Sequence, residues 1–252
     1  AWILKATGAE SIVVGERGVR EGILLDHVPR HGKRSGDRDL RSHSVERLLR
    51  RTNTELPHAE RVARLAVSIF DQTHALHQLT AAEREWLRYG ALLHDVGCSV
   101  GIPGHQRHSY YLITHGELTG FSADEIEAIA SVARYHKGKG PKNSHDNWKR
   151  LDAYLRVVVE KLAAILRIAD GLDHSHRQLV TDVACRLRPK RVEFDALATA
   201  DCQVELEAAR GKSDLFERVF GREPAFRAVP AGRDEAALQK EVEPIAAAAL
   251  WG

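Results

Sequence analysis

Apolar residues recur at intervals of three and four positions through the middle of the chain, from Ser44 to about His174. This spacing places them on one face of a helix and predicts a mainly α-helical domain. Glycine, proline and small polar residues interrupt the pattern in residues 53–57, 97–104, 116–121 and 138–147, which predicts loops there. The longest apolar face, in residues 152–174, consists of Leu155, Val158, Val159, Leu162, Ile165, Leu166 and Ala169.

The period of the pattern changes after Gln178. Val180–Leu187 and Arg191–Leu197 are short and alternate between apolar and polar positions, as half-buried strands do. A helix is expected from about Asp201 to Phe220, and Pro224–Val229 is expected to return as a third strand. The sequence therefore predicts a small α+β unit after the helical domain.

Both ends of the chain carry further predicted elements. Two apolar runs, Ile12–Val14 and Ile23–Leu25, predict a short strand pair, and Asp234–Trp251 predicts a helix that Pro244 interrupts. A basic, glycine-containing stretch between the strand pair and the first helix predicts a linker. The expected division is a strand pair in residues 1–26, a basic linker in residues 27–43, a helical domain in residues 44–178, and an α+β unit with a terminal helix in residues 179–252.

Several polar side chains fall on apolar helix faces. His58 follows Pro57 in the first turn of a predicted helix and lies on its apolar side, and His94 continues an apolar stripe at a predicted helix end. Asp95 is adjacent to His94, and Asp170 lies at the edge of the longest apolar face. Burying an unpaired carboxylate costs several kcal/mol or more. A shared metal ion would remove that cost for all four groups.

Two more histidines extend this set of candidate ligands. His136 shares a helix side with apolar residues, and His108 begins a short segment after the Pro103-Gly104 break. They are candidates for a second ion or for binding phosphate. Mixed imidazole and carboxylate ligation suits Mn, Fe, Co, Ni or Zn, with Mg as a further candidate, so we expect one or two divalent ions.

The order His58, His94-Asp95 and Asp170, all on predicted helices, resembles the HD superfamily of metal-dependent phosphohydrolases. The flanking residues, Leu-Leu before the His-Asp pair and Val-Gly after it, add to this resemblance. It implies that His58, His94, Asp95 and Asp170 are metal ligands and that His108 and His136 match positions which some members use for a second ion. It also implies that Asp95 and His94 are catalytic.

A narrower resemblance covers almost the whole chain. Gly18–Leu25 looks like the closing motif of the actin-like domain in the exopolyphosphatase and guanosine pentaphosphate phosphohydrolase (Ppx/GppA) family, and Gln106–Ile113, Arg134–His136 and Phe216–Gly221 are similar to later parts of long members. The resemblance implies a C-terminal region of such a protein, with residues 1–26 as the last strands of the actin-like domain, and it makes a homodimer a reasonable expectation. In some members the HD-type domain has lost ligands and serves as a scaffold and polyphosphate-binding surface. Here the ligand positions are intact, which favours metal chemistry.

Composition narrows the function classes. The chain has 252 residues, 43% of them hydrophobic, and three widely spaced cysteines, which is typical of a globular protein in a reducing cytoplasm. It contains no apolar run long enough to span a bilayer, so no membrane partner is expected. The formal net charge is only +2, and no aromatic-interleaved basic motif accompanies it. A nucleic-acid partner is therefore the weakest expectation.

Three functions remain as hypotheses. The first is a metal-dependent phosphohydrolase acting on polyphosphate, a guanosine polyphosphate or another nucleotide. The second is a catalytically silent module that binds polyphosphate or mediates dimerisation, and the third is a nucleic-acid binder. For the first, nearby cations would bind substrate phosphates and offset the charge that develops in the transition state. The candidates for this role are Lys137, Lys139, Lys142 and Arg107.

Overall fold

The computed structural model describes residues 37–231, with side chains from Leu40 onward. The chain divides into two compact units, residues 1–40 and residues 41–252, and only residues 37–40 of the first are described. The predicted N-terminal strand pair and the predicted terminal helix lie outside the described residues, as does most of the predicted linker. Residues 37–43, which were expected to belong to that linker, are helical.

The described residues form a helical domain followed by a three-stranded sheet with two helices. The helical domain also contains a 3-10 helix, Val96–Ser99. The predicted mainly α fold with a small α+β unit after it is therefore confirmed. The elements are α1 (Asp37–Arg51), α2 (Leu56–Gln72), α3 (His74–His77), α4 (Ala81–Leu92), α5 (His105–Thr114), α6 (Ala123–Arg134), α7 (Asp146–Arg150), α8 (Ala153–Gly171), β1 (Val180–Leu187), β2 (Arg191–Ala198), α9 (Gln203–Gly211), α10 (Asp214–Phe220) and β3 (Glu223–Pro230).

Local sequence signals fix where several helices begin. Thr80 and Glu83 form a capping box at the start of α4, and Ser122 and Glu125 form another at the start of α6. At the start of α8, the Asp152 carboxylate accepts a hydrogen bond of 2.7 Å from the backbone of the third helical residue. These side chains satisfy backbone N–H groups that have no partner within the helix, which stabilises each helix start by about 1 kcal/mol.

Helix α8 lies at the centre of the helical domain. It packs against α2, α4 and α6 on one side and against α9 and α10 of the α+β unit on another. All its residues from Leu162 to Gly171 are buried, so its second half has no solvent-facing side. A helix surrounded by other elements is apolar on all sides. The few polar residues in this half, Arg167 and Asp170, therefore need partners within the protein.

The small sheet has the strand order β1-β2-β3. β1 and β2 pair antiparallel, whereas β2 and β3 pair parallel and are joined by α9 and α10, as a parallel connection requires. The three strands agree with the sequence prediction, but the single helix predicted for residues 201–220 is divided in two at Lys212-Ser213. Pro224 is accommodated in β3 because that strand lies at the edge of the sheet.

Side chains of α2 attach this sheet to the helical domain. Gln72 donates to the carbonyl of Val183 at 2.7 Å and accepts from the backbone of Cys185 at 2.8 Å, so its amide pairs with β1 as another strand would. Ser68 adds a hydrogen bond of 2.8 Å to Asp182. The α+β unit is thus joined to the helix that also carries His58.

The end of α8 and helix α9 approach each other closely at Gly171. A Cβ atom placed on Gly171 would overlap with the Cα of Ala209 and would lie 2.6 Å from its backbone nitrogen. The two helix backbones are therefore in contact at the residue that follows Asp170. Only glycine permits this approach.

We predict that Gly171→Ala will lower the free energy of unfolding by about 1–3 kcal/mol, because backbone atoms of α9 would have to move. Urea denaturation measures this change. Gly211→Ala is the control, since nothing lies within 4 Å of a Cβ at that position, and alanine there should be neutral or stabilising by less than about 1 kcal/mol. Equal effects of the two substitutions would contradict the close approach.

Candidate metal centre

Four side chains from three separate parts of the chain meet between α2, α4 and α8. His58 comes from the first turn of α2, and Asp170 comes from the end of α8. Helix α4 ends at Leu92, so His94 and Asp95 lie in the turn after it rather than in its last turn, where the sequence placed them. His58, His94 and Asp170 are buried, while the Asp95 side chain is 21% exposed. The structure thus brings together the four main ligands expected from the sequence.

The imidazoles of His58 and His94 are held in one orientation. Nδ1 of His58 lies 2.9 Å from the Asp173 carboxylate, and Nδ1 of His94 lies 2.6 Å from the carbonyl oxygen of Ala91. An acceptor at Nδ1 requires the proton on that nitrogen, which leaves a lone pair on Nε2 when the ring is neutral. Both Nε2 atoms are buried without a hydrogen-bond partner. This is the pattern of metal-binding histidines, whose outer nitrogen is fixed by a carboxylate or carbonyl.

The spacing of the donor atoms fits one ion. Nε2 of His58 lies 3.8 Å from Oδ1 of Asp170 and 3.9 Å from Oδ2 of Asp95. Nε2 of His94 lies 3.9 Å and 3.5 Å from the same two oxygens. Ligands about 2.1 Å from a tetrahedral ion are separated by roughly 3.4 Å. These four atoms, here called site A, therefore leave room for a divalent cation with little adjustment.

Two further histidines surround the other oxygen of Asp95. Nε2 of His105 and Nε2 of His136 lie 3.2 Å and 3.6 Å from Oδ1 of Asp95 and 3.1 Å from each other. Their Nδ1 atoms lie 2.9 Å and 2.6 Å from the carbonyl oxygens of Ile102 and Ala133. Both imidazoles thus direct Nε2 toward Asp95, as those of site A do. These three donors are called site B, and Asp95 is shared by both sites.

The pKa shifts at site B indicate which of its donors carry a proton when no metal is bound. Burial and the nearby His94 imidazole lower the pKa of His136 to about 3, so its Nε2 carries a lone pair at neutral pH. A hydrogen bond to Asp95 raises the pKa of His105, so a proton on its Nε2 can separate the two imidazoles when no metal is bound. Burial opposes ionisation of Asp95, but His94, His105 and His136 together lower its pKa far below the usual value.

His105 was not among the predicted ligands, and His108 was predicted in its place. His108 belongs to none of the three clusters of metal-binding groups that the described residues form. Gly104 has a φ of +78° and precedes α5, so the helix starts at His105, whose buried face continues through Ser109 and Ile113. The four-residue spacing of His105, Ser109 and Ile113 is the signal that could have indicated that His105 lies on the buried face of α5.

Gly97 permits α5 to reach the site. A Cβ on Gly97 would overlap with the carbonyl oxygen of His105 and lie 2.8 Å from the Cβ of His108. The Ser109 hydroxyl accepts from the Gly97 backbone at 3.0 Å and donates to the carbonyl of His94 at 2.6 Å. Gly97 therefore allows this contact, which fixes His105 beside Asp95.

A lysine from the α+β unit completes the surroundings of Asp170. Nζ of Lys212 lies 2.5 Å from Oδ2 of Asp170, and the Lys212 carbonyl accepts a hydrogen bond of 2.8 Å from buried Arg167. Burial favours the neutral acid, but the charge of Lys212 and the nearby His94 and His136 imidazoles outweigh it and lower the pKa of Asp170 to about 2. No local sequence pattern indicated this lysine, because its partner is distant in the chain.

The predicted substrate-binding cations share one surface pocket. Arg107, Lys137, Lys139 and Lys142 line a cavity of about 350 Å³ together with Arg134. None of the five forms an ion pair with a carboxylate in the described part of the chain. This cluster, here called the cationic pocket, adjoins site B in sequence, since Lys137 directly follows His136. The remaining lining residues are Gln106, Tyr135, Gly138 and His145.

A second cavity, of about 520 Å³, opens onto the ligands themselves. Its lining includes His58 and Asp95 together with Cys98 and Ile102. His176 also lines it and stacks on His58, with ring centroids 3.7 Å apart. The Asp95 side chain is therefore the more accessible of these two ligands, since Nε2 of His58 is buried.

Fold and site together define a helical domain with a candidate two-ion centre and an adjoining cationic pocket. A sequence model described as Ppx/GppA phosphatase, domain III, matches residues 40–207. Because this match covers well over half of the 252 residues, the chain belongs to the Ppx/GppA phosphatase family, as a C-terminal region of an exopolyphosphatase-related protein. All the candidate ligands lie within the match, whereas Lys212 follows it. None of the described helices is long and apolar enough to cross a membrane.

We predict that Lys212→Met will destabilise the metal-free protein at pH 7 by about 1–3 kcal/mol, because a buried carboxylate loses its cation. The folded-state pKa of Asp170 is depressed, so its contribution to stability is present at neutral pH and is lost as the pH falls toward 2. The difference in the free energy of unfolding between Lys212→Met and the parent should therefore shrink as the pH falls toward 2. Urea denaturation across this pH range measures it.

The matched control is Lys190→Met, which removes an exposed lysine of the same unit and should change stability by less than about 0.5 kcal/mol. A difference between Lys212→Met and its parent that stays constant down to pH 3 would contradict the ion pair as its cause.

Proposed function

We propose that this chain carries a metal-dependent phosphohydrolase centre of the HD type, which hydrolyses a phosphoanhydride or a phosphate ester. The observation that supports the proposal is the convergence of imidazole Nε2 lone pairs and two carboxylates on a common space, with every imidazole Nδ1 fixed from outside. His58, His94, Asp95 and Asp170 would hold one divalent ion. His105, His136 and the second oxygen of Asp95 would hold another.

The donor set favours Mn, Fe, Co, Ni or Zn, since imidazole suits these ions better than it suits Ca or Mg. Bound there, such an ion would polarise a phosphoryl oxygen and lower the pKa of a water molecule. Asp95 lines the larger cavity together with His58, so its carboxylate can accept a hydrogen bond from the attacking water and orient it. Nδ1 of His94 donates to the Ala91 carbonyl, so the lone pair on its Nε2 points toward the proposed ion.

The cationic pocket would bind the phosphates that are not cleaved. Its five cations have no carboxylate partner among the described residues, so an anion there would not have to displace an existing ion pair. A chain of phosphates, as in polyphosphate or a guanosine polyphosphate, fits such a pocket better than a simple monoester does. Contacts of this kind position a substrate and offset charge in the transition state.

A second candidate function is a catalytically silent module that binds polyphosphate or mediates dimerisation in a longer exopolyphosphatase. The match to domain III of a phosphatase family and the cationic pocket favour it. Nucleic-acid binding is the third candidate function. It has less support, because the charges of the cationic pocket can bind a phosphate chain without recognising a base. Competition between polyphosphate and RNA for the purified protein separates the last two functions.

We predict that the purified protein retains divalent metal through dialysis and releases phosphate from a phosphoanhydride or ester with at least one of Mn, Co, Ni and Zn. His94→Ala should lose metal from site A and lower turnover by at least about 100-fold, because a ligand is removed. Elemental analysis and a phosphate-release screen measure the two effects. His43→Ala, at an exposed histidine outside the clusters, is the control and should change neither.

The outcomes distinguish the candidate functions. Equal metal content in the parent and in His94→Ala would refute the assignment of His94. Metal that is retained without turnover of any phosphate compound would favour the silent module.

We predict that Lys139→Ala and Lys142→Ala will each weaken the binding of long polyphosphate by about tenfold, since a charge-assisted hydrogen bond contributes about 1.5–3 kcal/mol. Binding of a small phosphate monoester should be unchanged. Calorimetric titration measures both affinities. Lys149→Ala is the control, because Lys149 already pairs with Asp146 at 3.0 Å. Parallel losses for the long chain and the monoester would contradict a separate site for the distal phosphates.

A further inference from the structure

Cys98 lies beside site B without a function in the proposed centre. Its sulfur, a carboxylate oxygen of Asp95 and a ring nitrogen of His105 all lie within 4.8 Å of one another. Cys98 is partly exposed and lines the cavity that opens onto the ligands, whereas Cys185 and Cys202 are buried. A thiol therefore faces the same space as two donors of site B.

The backbone explains this placement. Cys98 belongs to the 3-10 helix that follows Asp95, and its N–H donates to the Asp95 carbonyl at 2.9 Å. Residues three apart on a 3-10 helix lie on the same side. The 3-10 conformation therefore directs the side chains of Asp95 and Cys98 to the same side. In an α-helix, residues three apart would be less closely aligned.

Site B is also incomplete without a further donor. It has three, Nε2 of His105, Nε2 of His136 and Oδ1 of Asp95, and Oδ1 of Asp95 is shielded from solvent and lies 3.2 Å from Nε2 of His105. Site A has four donors, two of which are unpartnered imidazole nitrogens in fully buried side chains. A fourth protein ligand at site B would give the two sites the same number of donor atoms.

We propose that Cys98 is a further ligand of the ion at site B, on the side of that site formed by Asp95 and His105. A sulfur ligand selects Zn, Fe or Co over Mg and Mn, because thiolates bind softer cations. When the sulfur–metal bond forms, the thiol proton leaves to solvent, so the step needs no oxidant or further reactant. The inference rests on the proposed metal centre and adds the identity of the ion class at one of its two positions.

The experiment loads the full chain with Co²⁺ in place of its own metal. The parent should bind two equivalents and show a near-ultraviolet thiolate-to-cobalt charge-transfer band, which does not depend on any activity. Cys98→Ser should lose the band, bind the second equivalent at least about tenfold more weakly, and retain the first. In competition, Mg should displace Zn from site B more readily in the variant than in the parent.

The control variant is Cys202→Ser. Cys202 is the residue that precedes α9, where serine is a preferred cap, and it belongs to none of the ligand clusters of the described residues. It should keep both the band and the two equivalents. Circular dichroism establishes that each variant is folded before the titration.

Two equivalents of cobalt without a charge-transfer band in the parent would overturn the role of Cys98 and leave the two-ion centre standing. An unchanged band and unchanged affinities in Cys98→Ser would do the same. If the parent binds no cobalt at all, both this inference and the metal centre of the proposed function are refuted.

Discussion

The structure of this site depends on one constraint: four buried imidazoles have their outer nitrogens fixed by hydrogen bonds, so their remaining lone pairs must point at one another and at two carboxylates. Backbone carbonyls hold His94, His105 and His136, and the Asp173 carboxylate holds His58. Buried polar atoms without partners cost free energy, and like-charged carboxylates repel. A cation between them removes both penalties, whereas an apolar substitution would leave the outer hydrogen-bonding groups unsatisfied.

This constraint reaches beyond the helices that carry the ligands. Asp170 is paired with Lys212 of the α+β unit, and Arg167 links the Lys212 carbonyl to Asp214 and to Gly138 in the loop of the cationic pocket. The close approach at Gly171 positions these groups. The α+β unit therefore forms part of the electrostatic environment of the ligands, and we infer that its loss would disturb the centre even though it supplies no ligand.

Membership of the Ppx/GppA phosphatase family places the chain among phosphate-processing proteins, and the geometry bears on what this region can do there. A module that only bound phosphate chains would need the cationic pocket but would have no use for buried donors arranged around Asp95. Burying these donors costs stability, and binding an ion would offset that cost. The open cavity beside His58 and Asp95 supports an ion with an accessible coordination position, as hydrolysis requires.

The sequence by itself determined the helical domain, the α+β unit and most of the candidate ligands, because each depends on local spacing. His58, His94, Asp170 and His136 could be found since each lies on an apolar helix face, where a polar group needs a partner. Tertiary structure alone decided that His105 rather than His108 meets Asp95, that Gly97 allows this meeting, and that Lys212 pairs with Asp170. A periodic pattern specifies which face of a helix is buried. Which residue of another segment contacts that face depends on how distant segments pack.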